Sequence, residues 1–74
     1  MNLYELEPLL RRVFPDELSF SIEMSKDQIE SWDSFGHLNL ILEIEDFLLI
    51  HFDKSEIEAI DSLKILIDVI NKKL

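Results

Sequence analysis

The chain has 74 residues, 47% of them hydrophobic, a formal net charge of -9 and no cysteine. Such a length allows one small core in a single domain spanning residues 1–74, and the apolar share is too high for a disordered chain; without cysteine there is neither a disulfide framework nor a thiolate metal site. The acid excess argues against the basic stripe that nucleic-acid binding needs and against anionic membranes, and it favours basic protein surfaces as partners.

The first residues, Met1 to Glu7, lack the basic region and apolar core of a secretory signal. No apolar run approaches the ~20 residues that span a bilayer, so a soluble, cytoplasmic protein is expected. Asn2 and Glu5 approximate a capping box that opens an apolar pattern of Leu3, Leu6, Leu9, Leu10, Val13 and Phe14. This is a first helix, ending before Pro15. Pro8 lies inside it and predicts a kink or a disturbed start, because a proline removes one helical bond and crowds the preceding turn.

Residues 15–33 form a long connection in which Leu18, Phe20, Ile22 and Met24 alternate with polar residues. Alternation is a strand signal, but no second strand is available to pair with it. The expectation is an extended loop whose alternate side chains tuck under the helices. Ser25-Lys26-Asp27-Gln28 has a capping-box spacing and predicts a single helical turn through Ile29. Trp32 follows as a core anchor just before the next helix.

That second helix is expected from about Ser34 to Ile50, with Phe35, Leu40, Ile41, Ile44 and Leu48 on its core edge. Phe47-Leu48-Leu49-Ile50 is apolar all round, which predicts a helix end enclosed by neighbours. Leu38, Leu42 and Glu45 recur at helical spacing beneath Ser34. Between Lys26 and Lys54 every charged side chain is acidic: Asp27, Glu30, Asp33, Glu43, Glu45, Asp46 and Asp53. A turn at 52–55 leads to a short helix, Ser55 to Ile60, with Ile57 and Ile60 inward. Asp61 or Ser62 caps a last helix whose apolar face is Leu63, Leu66, Ile67, Ile70 and Leu74, and Lys72 and Lys73 complement its negative end. The fold class is all-α: a small antiparallel four-helix bundle, three helices long and one short, with a long loop between the first two.

Ser34 and His37 are three residues apart and could share one helix side, as a serine–histidine pair would require, yet the chain has one glycine, Gly36, and no sign of an oxyanion hole or a third orienting group. Self-contained catalysis is therefore not expected, and His37 reads as a half-buried packing residue. Metal-ligand spacings are absent too: there is no Glu-x-x-His pair, and Asp53-Lys54-Ser55 departs at once from a calcium loop. Ser34 remains as an attachment point. A helix start supplies free backbone N–H groups and partial positive charge, which stabilise a phosphate there. The plain alternative is that Ser34 only caps the helix, a role worth ~1 kcal/mol.

Trp32-Asp33-Ser34-Phe35-Gly36-His37-Leu38, with Ile44-Glu45-Asp46 downstream, resembles the signature of acyl carrier proteins, and the likeness in length, acidity and helix order covers essentially the whole chain. The wording is closer to free-standing carriers of specialised pathways than to the housekeeping fatty-acid carrier. The resemblance implies that Ser34 is esterified with 4′-phosphopantetheine from coenzyme A, and that Asp33 helps the phosphopantetheinyl transferase hold its magnesium ion. It further implies a monomer whose Leu38, Leu42, Glu45 and Asp46 meet basic docking surfaces on acyl- or aminoacyl-loading and downstream acyl-transferring enzymes. Three positions depart from the family pattern: Phe35 replaces the usual leucine, Leu48 stands where phenylalanine is common, and Leu49 where a helix-ending glycine is frequent. The neighbouring alternatives are a peptidyl or aminoacyl carrier and an unmodified acidic interaction module.

Overall fold

A computed structural model describes residues 1–74 and is all-helical, with four α-helices and no strand. The first, α1, runs Leu3–Val13. Its start is regular, not disturbed: the Asn2 side chain accepts from the Glu5 amide and Glu5 Oε1 accepts from the Asn2 amide, each at 3.1 Å. Pro8 sits inside the helix without breaking it. Pro8 and Tyr4 both lie on the exposed side, where water can serve the carbonyl that the proline leaves without a donor. Leu6, Leu9, Leu10 and Val13 are buried, and Phe14 closes the helix with its amide on the Leu10 carbonyl.

The long connection carries a single 3₁₀ turn, Lys26–Gln28, in which Gln28 Oε1 accepts from the Ser25 amide at 2.9 Å. It delivers Ile29 to the core. The loop does find a pairing partner: the Lys26 amide donates to the Asp61 carbonyl and the Leu63 amide to the Met24 carbonyl, an isolated antiparallel bridge between Ser25 and Ser62. The expected tucking of alternate side chains holds for half of them. Phe20 and Met24 pack against the core, whereas Leu18 and Ile22 face solvent, because one bridge fixes the strand-like register only at Ser25.

Helix α2 spans Ser34–Leu48, two residues shorter than expected, and buries Leu40, Ile41 and Ile44. It ends at Leu49, whose φ of 56° and ψ of 45° are left-handed. The 47–50 end is not enclosed: Phe47 and Leu49 are exposed, since the chain turns away sharply at that left-handed residue. Helix α3, Lys54–Ala59, begins one residue earlier than expected because Asp53 is its cap, in a closed capping box with Glu56. Ser62 caps α4, Leu63–Lys73, which buries Leu63, Leu66, Ile67 and Ile70. Leu74 lies beyond the last turn and is exposed.

Sixteen buried side chains form one core, drawn from α1, α2, α4 and the loops at Ile29, Trp32, Phe52 and Ile60. The radius of gyration is 11.0 Å, close to the ~11 Å of a folded chain this long, so the acid excess does not expand it. Four of the seven cations are paired inside the chain: Arg11 with Glu7, Arg12 with Glu43, Lys64 with Asp68 and Lys73 with Glu56. Exposed pairs of this kind add little stability. Their consequence is electrostatic, because they leave Asp46 of α2 and the acids of the long loop as the unpaired outward charge. No helix is long and apolar enough to cross a membrane.

Candidate functional site

The site is built around the first turn of α2. Asp33, in extended conformation, is the helix cap: its Oδ1 accepts from the Gly36 amide at 2.8 Å and its carbonyl accepts from the His37 amide at 2.8 Å. Ser34 is the first helical residue and is exposed. The cap is therefore the aspartate, not the serine. Neither the Ser34 hydroxyl nor the amides of Ser34 and Phe35 find a partner in the chain. An exposed hydroxyl and two free N–H groups thus share the positive end of a 15-residue helix.

Gly36 sets how closely the preceding loop lies on this turn. The Ser31 carbonyl oxygen occupies the space where a side chain at Gly36 would begin, so the loop and the helix meet backbone to backbone. Trp32, 3% exposed, then drops into the core against Phe14, with ring centroids 5.6 Å apart. Its indole Nε1–H donates to His37 Nδ1 at 2.9 Å, and His37 Nε2 meets the Ile57 carbonyl of α3 at 2.7 Å. An indole N–H only donates and a carbonyl only accepts, so the imidazole carries its proton on Nε2. Both ring nitrogens are committed, which leaves none to serve as a base for Ser34.

Beside Ser34 lies a polar hollow of about 400 Å³ lined by Asp16, Glu17, Glu30, Ser31 and Asp33. No hydrophobic side chain lines it, and its carboxylates repel free anions. No group of three or more histidine or acidic side chains is arranged to hold a metal ion.

Below the serine, Phe35, Leu38 and Leu42 form one exposed apolar stripe, 86%, 55% and 63% exposed, and Asp46 continues it one turn further on. Phe35 was expected in the core. The buried face of α2 is filled by Leu40, Ile41 and Ile44, and the spacing of Phe35 to Leu38 and Leu42, three and seven residues, places it with the exposed stripe instead. That spacing is the signal by which it is legible. Glu45, placed on this flank by the sequence, is partly covered and bonded within the chain. Its Oε2 accepts from the Phe52 amide at 2.8 Å and lies 3.3 Å from His51 Nδ1, so this carboxylate fastens the turn after α2. Glu43 is also engaged, by Arg12 at 2.9 Å.

Two carboxyls titrate below their ordinary values, both at the α3 cap. Glu56 is lowered first by the hydrogen bond from Lys73 and then by the Asp53 backbone amide. Asp53 is lowered by the Glu56 backbone amide and the Ser55 hydroxyl. These hold α3 in place and lie away from the serine.

No family model, curated protein or solved structure matches the chain.

Proposed function

We propose that the chain is an acyl carrier protein of the stand-alone type, an antiparallel four-helix bundle that tethers acyl intermediates as thioesters on a 4′-phosphopantetheine arm at Ser34. It presents them to partner enzymes of fatty-acid, polyketide or related specialised biosynthesis. One observation carries this: Asp33 does the capping, so the Ser34 hydroxyl is exposed and idle at the positive end of α2. The plain role that competes with attachment, a capping serine, is thereby filled by its neighbour.

The residues fit the arm. In loading, Ser34 Oγ bonds to the phosphorus of the phosphopantetheine, the bond from that phosphorus to the nucleotide part of coenzyme A breaks, and the hydroxyl proton passes to a base of the transferase. The free amides of Ser34 and Phe35 would be available to a phosphodiester at that oxygen. Asp33 uses Oδ1 for the cap, and its Oδ2 would be available to a magnesium ion supplied by the transferase. When bound, the arm supplies the thiol for the acyl group, and tethering raises the effective concentration of that group at each partner. Phe35, Leu38, Leu42 and Asp46 give the transferase and the acyl- or aminoacyl-loading enzymes an apolar strip edged with acid, suited to basic docking surfaces.

The test is an intact mass after incubation with coenzyme A, magnesium and a broad-specificity transferase. The wild type gains one phosphopantetheine and Ser34→Ala gains none. An unchanged wild-type mass, under conditions that load a control carrier, refutes the carrier function. It would favour the alternative that the exposed stripe supports, an unmodified acidic interaction module. A peptidyl or aminoacyl carrier would pass the same test and differ only in cargo.

A further inference from the structure

We propose that His37 is a positioning residue that couples the loop presenting Ser34 to the seating of α3. The assignment of a reaction to Ser34 rests on the carrier function proposed above; the coupling itself does not. His37 stands one turn after Asp33, and its amide already bonds the Asp33 carbonyl. Its ring reaches back to Trp32, the residue before Asp33, and outward to the Ile57 carbonyl, twenty positions along the chain. Asp33 and Ser34 are therefore enclosed between two residues that are bonded to each other.

The tie is anchored in the core at its Trp32 end. Trp32 is held in the core against Phe14, and its indole lies roughly parallel to the imidazole, at an interplanar angle of 22°. The imidazole is a flat ring with hydrogen bonds at both ends, so a shift of the Ile57 carbonyl moves the indole or breaks a bond. On the other side of α3, Glu56 is held by Lys73 of α4 at 2.7 Å. Release of that contact frees α3 next to Ile57. The disturbance then reaches the Ser34 loop through His37, because the ring is the side-chain hydrogen bond from α3 to α2. A purely space-filling histidine would transmit nothing that a leucine of similar bulk could not.

The test begins on the unaltered protein. Long-range proton–nitrogen spectra should show His37 as a neutral imidazole protonated at Nε2; a ring protonated at Nδ1 overturns the tie without any variant. Next, Lys73→Met should shift the Trp32 indole N–H resonance in the wild-type background and leave it unmoved in His37→Leu. Equal shifts in both backgrounds would show that the loop senses α3 by another route. In loading assays with coenzyme A and a broad-specificity transferase, His37→Leu should lower kcat roughly tenfold, within the hundredfold that an ångström of misplacement can cost, with KM near wild type. A wild-type kcat overturns the positioning role. Should the wild type resist loading while the indole coupling holds, the carrier function falls and the His37 tie stands.

Discussion

Gly36→Ala separates two physical effects of opposite sign. In an ordinary helix interior, replacing glycine by alanine gains about 0.8–1.0 kcal/mol. Here the new Cβ would fall on the Ser31 carbonyl oxygen and within 3.1 Å of its carbon, a backbone group with no flexible end to swing aside. Forcing an extra carbon into such a contact typically costs 1–3 kcal/mol, and a backbone contact lies toward the top of that range. The net expectation is a loss of about 1–2 kcal/mol, or a fall in Tm of roughly 5–15 °C for a domain of this size. The loop moves with it, so Trp32 fluorescence should shift to the red as the indole loses its packing. Asn39→Ala, on the exposed side of the same helix, serves as the control and should be neutral or stabilising. A Gly36→Ala protein that melts higher than wild type, with unchanged emission, would refute the claim that Gly36 sets the approach of the loop.

Asp33→Asn retains a good cap and should change stability by less than ~1 kcal/mol while slowing loading, whereas Asp33→Ala should lose the cap as well, at ~1 kcal/mol; equal loading of Asp33→Asn and wild type removes the aspartate from the reaction. Asp46→Lys should slow partner association, and the effect should shrink with salt as the Debye length falls from ~10 Å at 0.1 M to ~3 Å at 1 M, while Leu42→Ala should speed dissociation; stopped-flow rates indifferent to all three contradict docking on this stripe. Glu45→Lys should act on melting, with about 1–3 kcal/mol lost as the Phe52 amide is left without its acceptor, and an unchanged Tm would disprove the fastening role. The lowered carboxyls of Glu56 and Asp53 make the unfolded chain the better proton binder. Their contribution is thus complete above the ordinary carboxylate range near ~4 and is lost as pH falls through the lower folded values, so Tm followed from about pH 5 to 3 should fall less steeply for Glu56→Gln than for wild type.

What the sequence discloses here is what depends on neighbours along the chain. Asn2 with Glu5, and Ser62 before Leu63, mark helix starts because a cap needs only the next three residues. The apolar faces of α1 and α4 follow from period alone, and they are buried as expected except at their ends, where Leu3 is half-covered and Leu74 is exposed. Choices set by distant contacts are hidden. Asp33 and Ser34 are both good caps, and the one-residue register between them depends on where the Ser31 carbonyl meets Gly36. Leu18 and Ile22 look like Phe20 and Met24 in sequence, and only packing tells them apart. Glu45 is turned inward by an amide seven residues on, which the left-handed Leu49 brings within reach. The Trp32–His37–Ile57 chain spans twenty-five positions and has no local signature.

Helix α3 has six residues and buries none of them completely. The Asp53 box closes within its own first turn, and its attachments to the rest are the Glu56–Lys73 pair, the Ile57 carbonyl on His37 and one partly buried side chain, Ile57. Little apolar area is lost when such a segment detaches, so its local opening free energy lies well below that of the whole fold. In native-state hydrogen exchange, the amides of α3 should therefore exchange through a sub-global opening, while those of Leu40, Ile44, Leu66 and Ile70 wait for complete unfolding. The domain then consists of two cooperative units of unequal stability. The weaker one packs on the core through its own partly covered Ile57 and ends at the buried Ile60, so the interior has a side that opens without the rest coming apart.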